Sequence, residues 1–193
     1  MSSEDMIDCE LVYHWRDLKH KPKFIIFDLD HTLWPFAVDT NIVPPFRRIK
    51  EDKNSIITDL NDLELKGFED VPKILNTLFE YCFMEGEKMA VASRSRRKDL
   101  ALKLIELLDW KKYFHSIQIY SMPKNNHIFA IKSELNIKDF KDVLFFDDNK
   151  SNIEVANQLG ICSFFVDKNI GLNLFNVHCA FDIFEKQYYL DKK

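Results

Sequence analysis

Short apolar runs alternate with stretches of helical spacing along most of this chain, and that alternation restricts its fold more than any other feature. The apolar runs predict five buried strands, at residues 23–29, 89–92, 117–120, 143–146 and 163–166. The segments between the later runs carry apolar residues at the spacing of one helix face. Strands joined by helices in this way form right-handed crossovers, so we predict an α/β fold with a parallel sheet flanked by helices.

The periodic segments also predict where individual helices begin and end. Helical spacing places an N-terminal helix within residues 6–20 and a longer apolar helix face on residues 71–82. Ser151 and Glu154 form a capping-box pattern, which predicts the first turn of a later helix that Gly160 can end.

A hairpin flap is predicted after the first strand. Residues 34–69 show neither a strand period nor a helix period, and they contain three prolines and a polar turn at 51–55. A flap fits this pattern better than a second domain, because the segment is too short and irregular for a sizeable cap. We therefore expect a single domain over residues 1–193, without a large cap.

The composition excludes several classes of protein. The net charge of −4 over 193 residues gives no reason to expect broad electrostatic binding to nucleic acid. Only four glycines are present, which excludes a G-x-G-x-x-G dinucleotide turn and a Walker-type phosphate loop. The four cysteines form no C-x-x-C pair, which argues against a zinc cluster.

Targeting signals are not evident in the sequence. The N-terminus is acidic and lacks the apolar segment of a secretion signal, and no apolar run approaches the length of a membrane span. We therefore expect a cytosolic protein without membrane or nucleic-acid partners, with the nucleus as the alternative compartment.

Two carboxylates follow the first predicted strand. Asp28 and Asp30 come directly after the apolar run, and Thr32 follows them. Two acids at the carboxyl end of a parallel strand can hold a hard cation and leave one oxygen free to attack. A solvated polar turn and a calcium loop are the alternatives. The calcium loop is disfavoured, because it requires Gly and Glu where this chain has Leu33 and Asp39.

Polar residues also follow the other predicted strands. Ser93 and Arg94 come after the second strand, Lys124 after the third, and Asp147 and Asp148 after the fourth. A parallel sheet brings these ends to one edge, where carboxylates can bind magnesium and a hydroxyl and an ammonium can hold a phosphoryl group. Each residue alone has a simpler explanation as a helix cap, a surface charge or a turn, but their joint placement favours a site.

These motifs resemble the phosphatases of the haloacid dehalogenase superfamily. Residues 27–33 match the first motif of the superfamily, Ser93 the second, Lys124 the third and Asp147-Asp148 the fourth. The surrounding runs resemble its branch of small magnesium-dependent phosphatases, and the similarity covers roughly residues 23 to 185. Residues 1–21 lie outside the family pattern, as a helical extension.

The resemblance implies a Rossmann-like sheet with strand order 3-2-1-4-5 and a role for each acid. Asp28 would be the nucleophile that forms an aspartyl-phosphate, and Asp30 would protonate the leaving oxygen and then activate water. Magnesium would take a carboxylate oxygen of Asp28, the backbone carbonyl of Asp30 and the carboxylate of Asp148. Asp147 would orient Lys124, although which of Asp147 and Asp148 contacts the metal directly stays open.

The resemblance also implies the groups that hold the phosphate. Lys124 would neutralise the phosphoryl group, Ser93 would bind one of its oxygens, and the backbone amides of Leu29 and Asp30 would face the developing charge. Arg94 begins a basic cluster beside Ser93 that is either a solvated helix start or a reader of anionic substrates.

The sequence thus predicts a monomeric, magnesium-dependent phosphomonoesterase. Its substrates would be aryl, tyrosine or sugar phosphates, free or on a phosphorylated or glycated protein. The alternatives are a phosphoprotein phosphatase of the polymerase-tail type and a non-catalytic module that binds phosphorylated ligands.

Overall fold

A five-stranded parallel sheet forms the centre of the structure, a computed structural model that describes residues 7–49 and 57–190. The strands, in chain order, are β1 (Phe24–Phe27), β2 (Arg47–Arg48), β3 (Ile57–Thr58), β4 (Lys88–Ser93), β5 (Phe114–Ile119), β6 (Val143–Asp147) and β7 (Cys162–Phe165). The sheet has the order β5-β4-β1-β6-β7, and every pairing in it is parallel. This order confirms the predicted α/β fold and its strand arrangement.

Helices cover both faces of the sheet. Within the described residues the α-helices are α1 (Cys9–Asp17), α2 (Val71–Thr77), α3 (Lys98–Leu107), α4 (Lys124–Leu135), α5 (Lys150–Gln158) and α6 (Leu174–Leu190). Successive strand residues point to opposite faces. Ile25 and Phe27 therefore pack against α1, α2, α3 and α6, whereas Ile26 packs against α4 and α5. No helix in the described part of the chain is long and apolar enough to cross a membrane.

The longest helix, α6, was not among the predicted elements. Its buried residues are Val177, Ala180, Phe181 and Phe184, which follow the i, i+3, i+4, i+7 spacing of a helix face. Phe181 packs edge-on against Trp15 of α1, at a ring-centroid distance of 5.2 Å. The C-terminal helix therefore anchors the N-terminal one.

Several predicted boundaries were wrong. Strand β5 begins at Phe114, because the buried hydroxyl of Ser116 pairs with Glu134 and interrupts the apolar run that marked the strand. Helix α5 is capped by Asn149, whose side chain accepts from the Ser151 amide at 2.9 Å, and not by Ser151 itself. The apolar helix face predicted on residues 71–82, by contrast, is confirmed, because α2 continues into a π-helical turn, Leu78–Cys82.

The predicted flap contains an antiparallel strand pair. Arg47 of β2 lies opposite Thr58 of β3, and Arg48 lies opposite Ile57, which confirms the hairpin. The polar turn predicted at 51–55 lies outside the described residues, as does Met6 at the start of the predicted N-terminal helix.

Candidate active site

The predicted site residues converge at the carboxyl edge of the sheet. Asp28, Asp30, Ser93, Arg94 and Asp148 line an open cavity of about 350 Å³. This is the edge where open parallel sheets place their ligands, because the strand ends and the following loops meet there. Residues separated by up to 120 positions in sequence thus share one concave surface.

Lys124 lies beneath this cavity as the first residue of α4, with only 1% of its surface exposed. Its Nζ donates to Asp28 Oδ1 at 2.7 Å, to the carbonyl of Ala92 at 2.7 Å and to Asp147 Oδ2 at 2.9 Å. The three ammonium hydrogens therefore have three acceptors. Burial alone would lower the pKa of Lys124, but Asp28 and Asp147 outweigh that effect and raise it. The alternative of a solvated surface lysine is therefore wrong.

Three carboxylates form a compact acidic cluster beside Lys124. Asp28, Asp147 and Asp148 each place an oxygen within 4.8 Å of the others. Burial raises the pKa of Asp28, and the ammonium of Lys124 opposes that rise. Burial, followed by the charge of Asp147, also raises the pKa of Asp148. One ammonium cannot balance three carboxylates, so this all-oxygen set fits a hard divalent cation such as Mg²⁺.

The two adjacent aspartates of this cluster have different surroundings. Asp147 is fully buried and both of its oxygens accept from Asn152 Nδ2 at 3.0 Å, while Oδ1 also accepts from the Asn149 amide. Asp148 faces the cavity and is only partly buried. Sequence reasoning did not single out Asn152, because no motif marks it and its contact depends on the first turn of α5.

Asp30 lines the cavity, but its carboxylate is not part of the acidic cluster. Oδ1 accepts from Trp34 Nε1 at 2.8 Å and Oδ2 accepts from the Val38 amide at 3.2 Å. Burial raises the pKa of Asp30 to about 6, although the Trp34 hydrogen bond lowers it. A carboxyl group with a pKa near neutrality can both donate and accept a proton, as a general acid–base catalyst must.

The predicted substrate-binding residues lie at the end of β4 and on the turns that follow β1 and β4. Ser93 is buried, and its Oγ accepts from the Ser95 amide at 3.3 Å. Arg94 is exposed at the cavity rim. The Leu29 side chain packs in the core, and its carbonyl accepts the Leu33 amide at 2.8 Å, which closes the turn that presents Asp28.

Two further residues support the site, and their roles were not predicted. Asp39, in the flap segment ahead of β2, accepts hydrogen bonds from Ser95 and the amide of Arg96. His127 of α4 is fully buried. Its ring nitrogens lie 2.9 Å from the Tyr120 carbonyl and 3.2 Å from that of Pro123, so it packs against the loop that leads to Lys124.

The strand order and the aspartate–lysine cluster are those of a hydrolase of the haloacid dehalogenase type. Solved structures support the fold: a HAD-superfamily hydrolase from Ehrlichia chaffeensis is 17% identical, with a TM-score of 0.57, over 84% of this chain and 97% of that one. The N-terminal part of a Bacteroides fragilis protein, which contains a phosphatase domain and was solved with Mg, is 18% identical, with a TM-score of 0.53. That match covers 89% of this chain and 43% of the other.

Comparison with protein families and with individual relatives identifies the family of this chain. Residues 20–187 match the model of the Acid Phosphatase family. The chain is 32% identical over 165 residues to magnesium-dependent phosphatase 1 of Homo sapiens, which covers 86% of this chain and 88% of that protein. It is 30% identical over 162 residues to a HAD-like hydrolase superfamily protein of Schizosaccharomyces pombe, with coverages of 79% and 90%. The chain belongs to the Acid Phosphatase family and is a phosphatase.

Proposed function

We propose that this protein is a magnesium-dependent phosphomonoesterase that forms an aspartyl-phosphate on Asp28. The observation that carries the proposal is the buried ammonium of Lys124, 2.7 Å from Asp28 Oδ1, next to an acidic cluster that fits a divalent cation. An anionic carboxylate approaches an anionic phosphate only when cations offset their repulsion. Lys124 is placed to supply one such charge.

The metal would be held by oxygens of Asp28 and Asp148, with Asp147 as their support. Both oxygens of Asp147 are already engaged by Asn152, and one of them also by Lys124, so we assign direct contact with the ion to Asp148. When bound, Mg²⁺ would supply positive charge to the phosphoryl group and to the attacking carboxylate.

The chain's own residues account for the two chemical steps. Asp28 Oδ attacks phosphorus, and the bond to the ester oxygen breaks as Asp30 gives that oxygen its proton. Asp30, now a carboxylate, takes a proton from water, and that water attacks the phosphorus of the acyl-phosphate to release inorganic phosphate and restore Asp28. A pKa of about 6 suits Asp30 to both steps.

Hydrolysis of para-nitrophenyl phosphate by the purified protein tests the activity and its metal requirement. We expect turnover with Mg²⁺, loss of turnover in excess chelator, restoration by added Mg²⁺, and inhibition by Ca²⁺, because Mg²⁺ demands compact octahedral geometry and Ca²⁺ does not. Equal turnover with and without chelator would contradict the proposal.

The substrate, we propose further, is a phosphate ester on a large or small carrier. The cavity is open to solvent, and its rim is polar and includes the exposed Arg94 and Arg96. An open rim gives few contacts to a small ester and does not exclude a large carrier, so small esters should saturate weakly. The comparison of kcat/KM for sugar phosphates, phosphotyrosine peptides and glycated phosphoproteins tests this proposal. It fails if one small metabolite is hydrolysed efficiently and every macromolecular phosphate is refused.

A further inference from the structure

We propose that Asp39 is a positioning residue that fixes the loop at residues 93–97, which includes the proposed phosphate ligand Ser93. Asp39 lies in the flap segment between the first motif and β2, 56 residues before Ser95. This inference rests on the proposed function, because it assigns Asp39 a role in binding the phosphate that Asp28 attacks.

The carboxylate of Asp39 accepts hydrogen bonds from three successive residues of this loop. Asp39 Oδ1 accepts from Ser95 Oγ at 2.5 Å, from the Arg96 amide at 3.0 Å and from the Arg97 amide at 3.1 Å. Burial alone would raise the pKa of Asp39, but hydrogen bonds from Ser95, Arg96 and Arg97 hold it below its usual value. Asp39 is therefore a charged acceptor, and its hydrogen bonds are correspondingly strong.

The contact extends from Asp39 to Ser93, the serine that we propose binds the phosphate. Ser95 donates its hydroxyl to Asp39, and the Ser95 amide donates to Ser93 Oγ at 3.3 Å. Because Ser93 Oγ accepts that amide, its own hydroxyl hydrogen is free to point into the cavity. A fixed donor aimed at a phosphoryl oxygen binds better than one that must be ordered during binding.

The same segment also contacts the proposed general acid. The amide of Val38, the residue before Asp39, donates to Asp30 Oδ2 at 3.2 Å. Within the segment, the Ala37 amide donates to Asn41 Oδ1 at 2.8 Å, which keeps the turn compact. The segment therefore links Asp30 to Ser93 through hydrogen bonds and the short stretches of chain between them.

Asp39 also explains how the basic cluster is tolerated at the start of α3. Arg96, Arg97 and Lys98 place positive charge at a helix N-terminus, which the helix dipole disfavours. Arg97, at the N-cap position, makes no capping hydrogen bond with its own side chain. The carboxylate of Asp39 accepts the amides of Arg96 and Arg97, directly before the helix, and places a negative charge at that end.

The test compares Asp39→Ala and Asp39→Asn with a matched control, Asp59→Ala. Asp59 is a buried carboxylate of the flap that accepts the amides of Val43 at 2.9 Å and Leu63 at 2.9 Å, remote from Ser95 in its contacts. We expect Asp39→Ala to raise KM for para-nitrophenyl phosphate and the inhibition constant of inorganic phosphate by about tenfold, with a smaller change in kcat. Asp39→Asn should recover part of this loss, and Asp59→Ala should change neither constant.

A double variant separates positioning of Ser93 from a general effect on folding. If Asp39 acts through Ser93, then Asp39→Ala combined with Ser93→Ala should bind phosphate no more weakly than Ser93→Ala alone. Additive losses would overturn the inference, as would a folded Asp39→Ala protein with wild-type constants. If Asp39→Ala does not fold, Ser95→Ala is the substitute variant, because it removes the hydroxyl that donates to Asp39. Ser95→Ala should then raise KM and the inhibition constant of inorganic phosphate.

The two proposals fail in different ways. Absence of metal-dependent turnover in the wild-type protein would refute the proposed function. The effect of Asp39→Ala on the binding of inorganic phosphate, measured by calorimetry, needs no turnover. Unchanged binding in that variant would refute the positioning role alone.

Discussion

Lys124 Nζ lies 2.7 Å from Asp28 Oδ1 although 96 residues separate the two in sequence. The side chain of Lys124 is fully buried, and that of Asp28 is only 10% exposed. Strand β1 ends at Phe27, directly before Asp28, and helix α4 begins at Lys124, so the fold itself sets the distance between the two side chains. In the proposed mechanism, this contact orients Asp28 and places positive charge where the phosphoryl group would bind.

Replacing this cation should damage both stability and activity. In Lys124→Met the carboxylates Asp28 and Asp147 lose their buried partner, and breaking such a pair costs about 3–5 kcal/mol of the free energy of unfolding. We expect kcat/KM to fall by about 10²–10³-fold or more, the usual effect of removing one group that stabilises transition-state charge. Urea unfolding and the aryl phosphate assay measure the two effects. A near-normal free energy of unfolding together with a near-normal kcat/KM would show that the contact between Lys124 and Asp28 is incidental.

The support of Asp147 by Asn152 gives a second prediction. Asn152→Ala removes the amide that contacts both oxygens of Asp147. Removing groups that orient metal-site residues typically costs 10–100-fold in metal affinity or activity, so we expect a loss of about that size. Asn157→Ala is the matched control, because Asn157 lies on the same helix and contacts Ser163 instead. An equal loss in both variants would point to a general disturbance of α5.

Loss of the proton donor should depend on the leaving group. Asp30→Asn keeps the shape of the side chain but cannot donate a carboxyl proton, and general acid–base catalysis is worth about 10²–10⁴-fold. We expect a large loss with alkyl phosphates and a smaller loss in the first step with para-nitrophenyl phosphate, whose leaving group needs no proton. A rapid-mixing experiment that measures the rate of leaving-group release from each ester compares the two losses. An identical loss for both esters would contradict the assignment.

The pH dependence of stability tests the contact between His14 and His178, which is remote from the candidate active site. Burial, and then the charge of His14, lowers the pKa of His178 in the folded protein. The unfolded chain therefore takes up a proton first as the pH falls below about 6.5, so the contribution of His178 to stability declines on acidification. Asp8, Glu10 and Asp182 partly oppose this shift. We expect the fall in Tm between pH 7.5 and 5.5 to be smaller in His178→Asn than in the wild type. A larger fall in Tm in the variant than in the wild type would show that His178 stabilises the folded protein on acidification, which contradicts this prediction.

Sequence predicts those parts of the site in which the polar residues directly follow or end an apolar strand. Phe24–Phe27 and Asp28 form one continuous signal, and the same holds for Phe146 and Asp147. The packing of the strands against helices then follows from alternation, which is a local property of the backbone.

The remaining parts depend on contacts between distant segments. Asp39 acquires its role only when the flap segment meets the start of α3, and no local pattern marks it. Asn152 similarly depends on how α5 begins at Asn149. Helix α6 is a different case, because its spacing at Val177, Ala180, Phe181 and Phe184 was a usable signal.

The most direct test of the account is whether Asp28 carries the phosphoryl group. Asp30→Asn should slow hydrolysis of the intermediate, so this variant, quenched in acid after reaction with para-nitrophenyl phosphate and Mg²⁺, should retain a phosphoryl group. Peptide mass spectrometry should locate that group on Asp28, and hydroxylamine should remove it, as expected of an acyl-phosphate. Asp28→Asn should show neither the modification nor turnover. A phosphoryl group on another residue, or turnover retained by Asp28→Asn, would contradict the account.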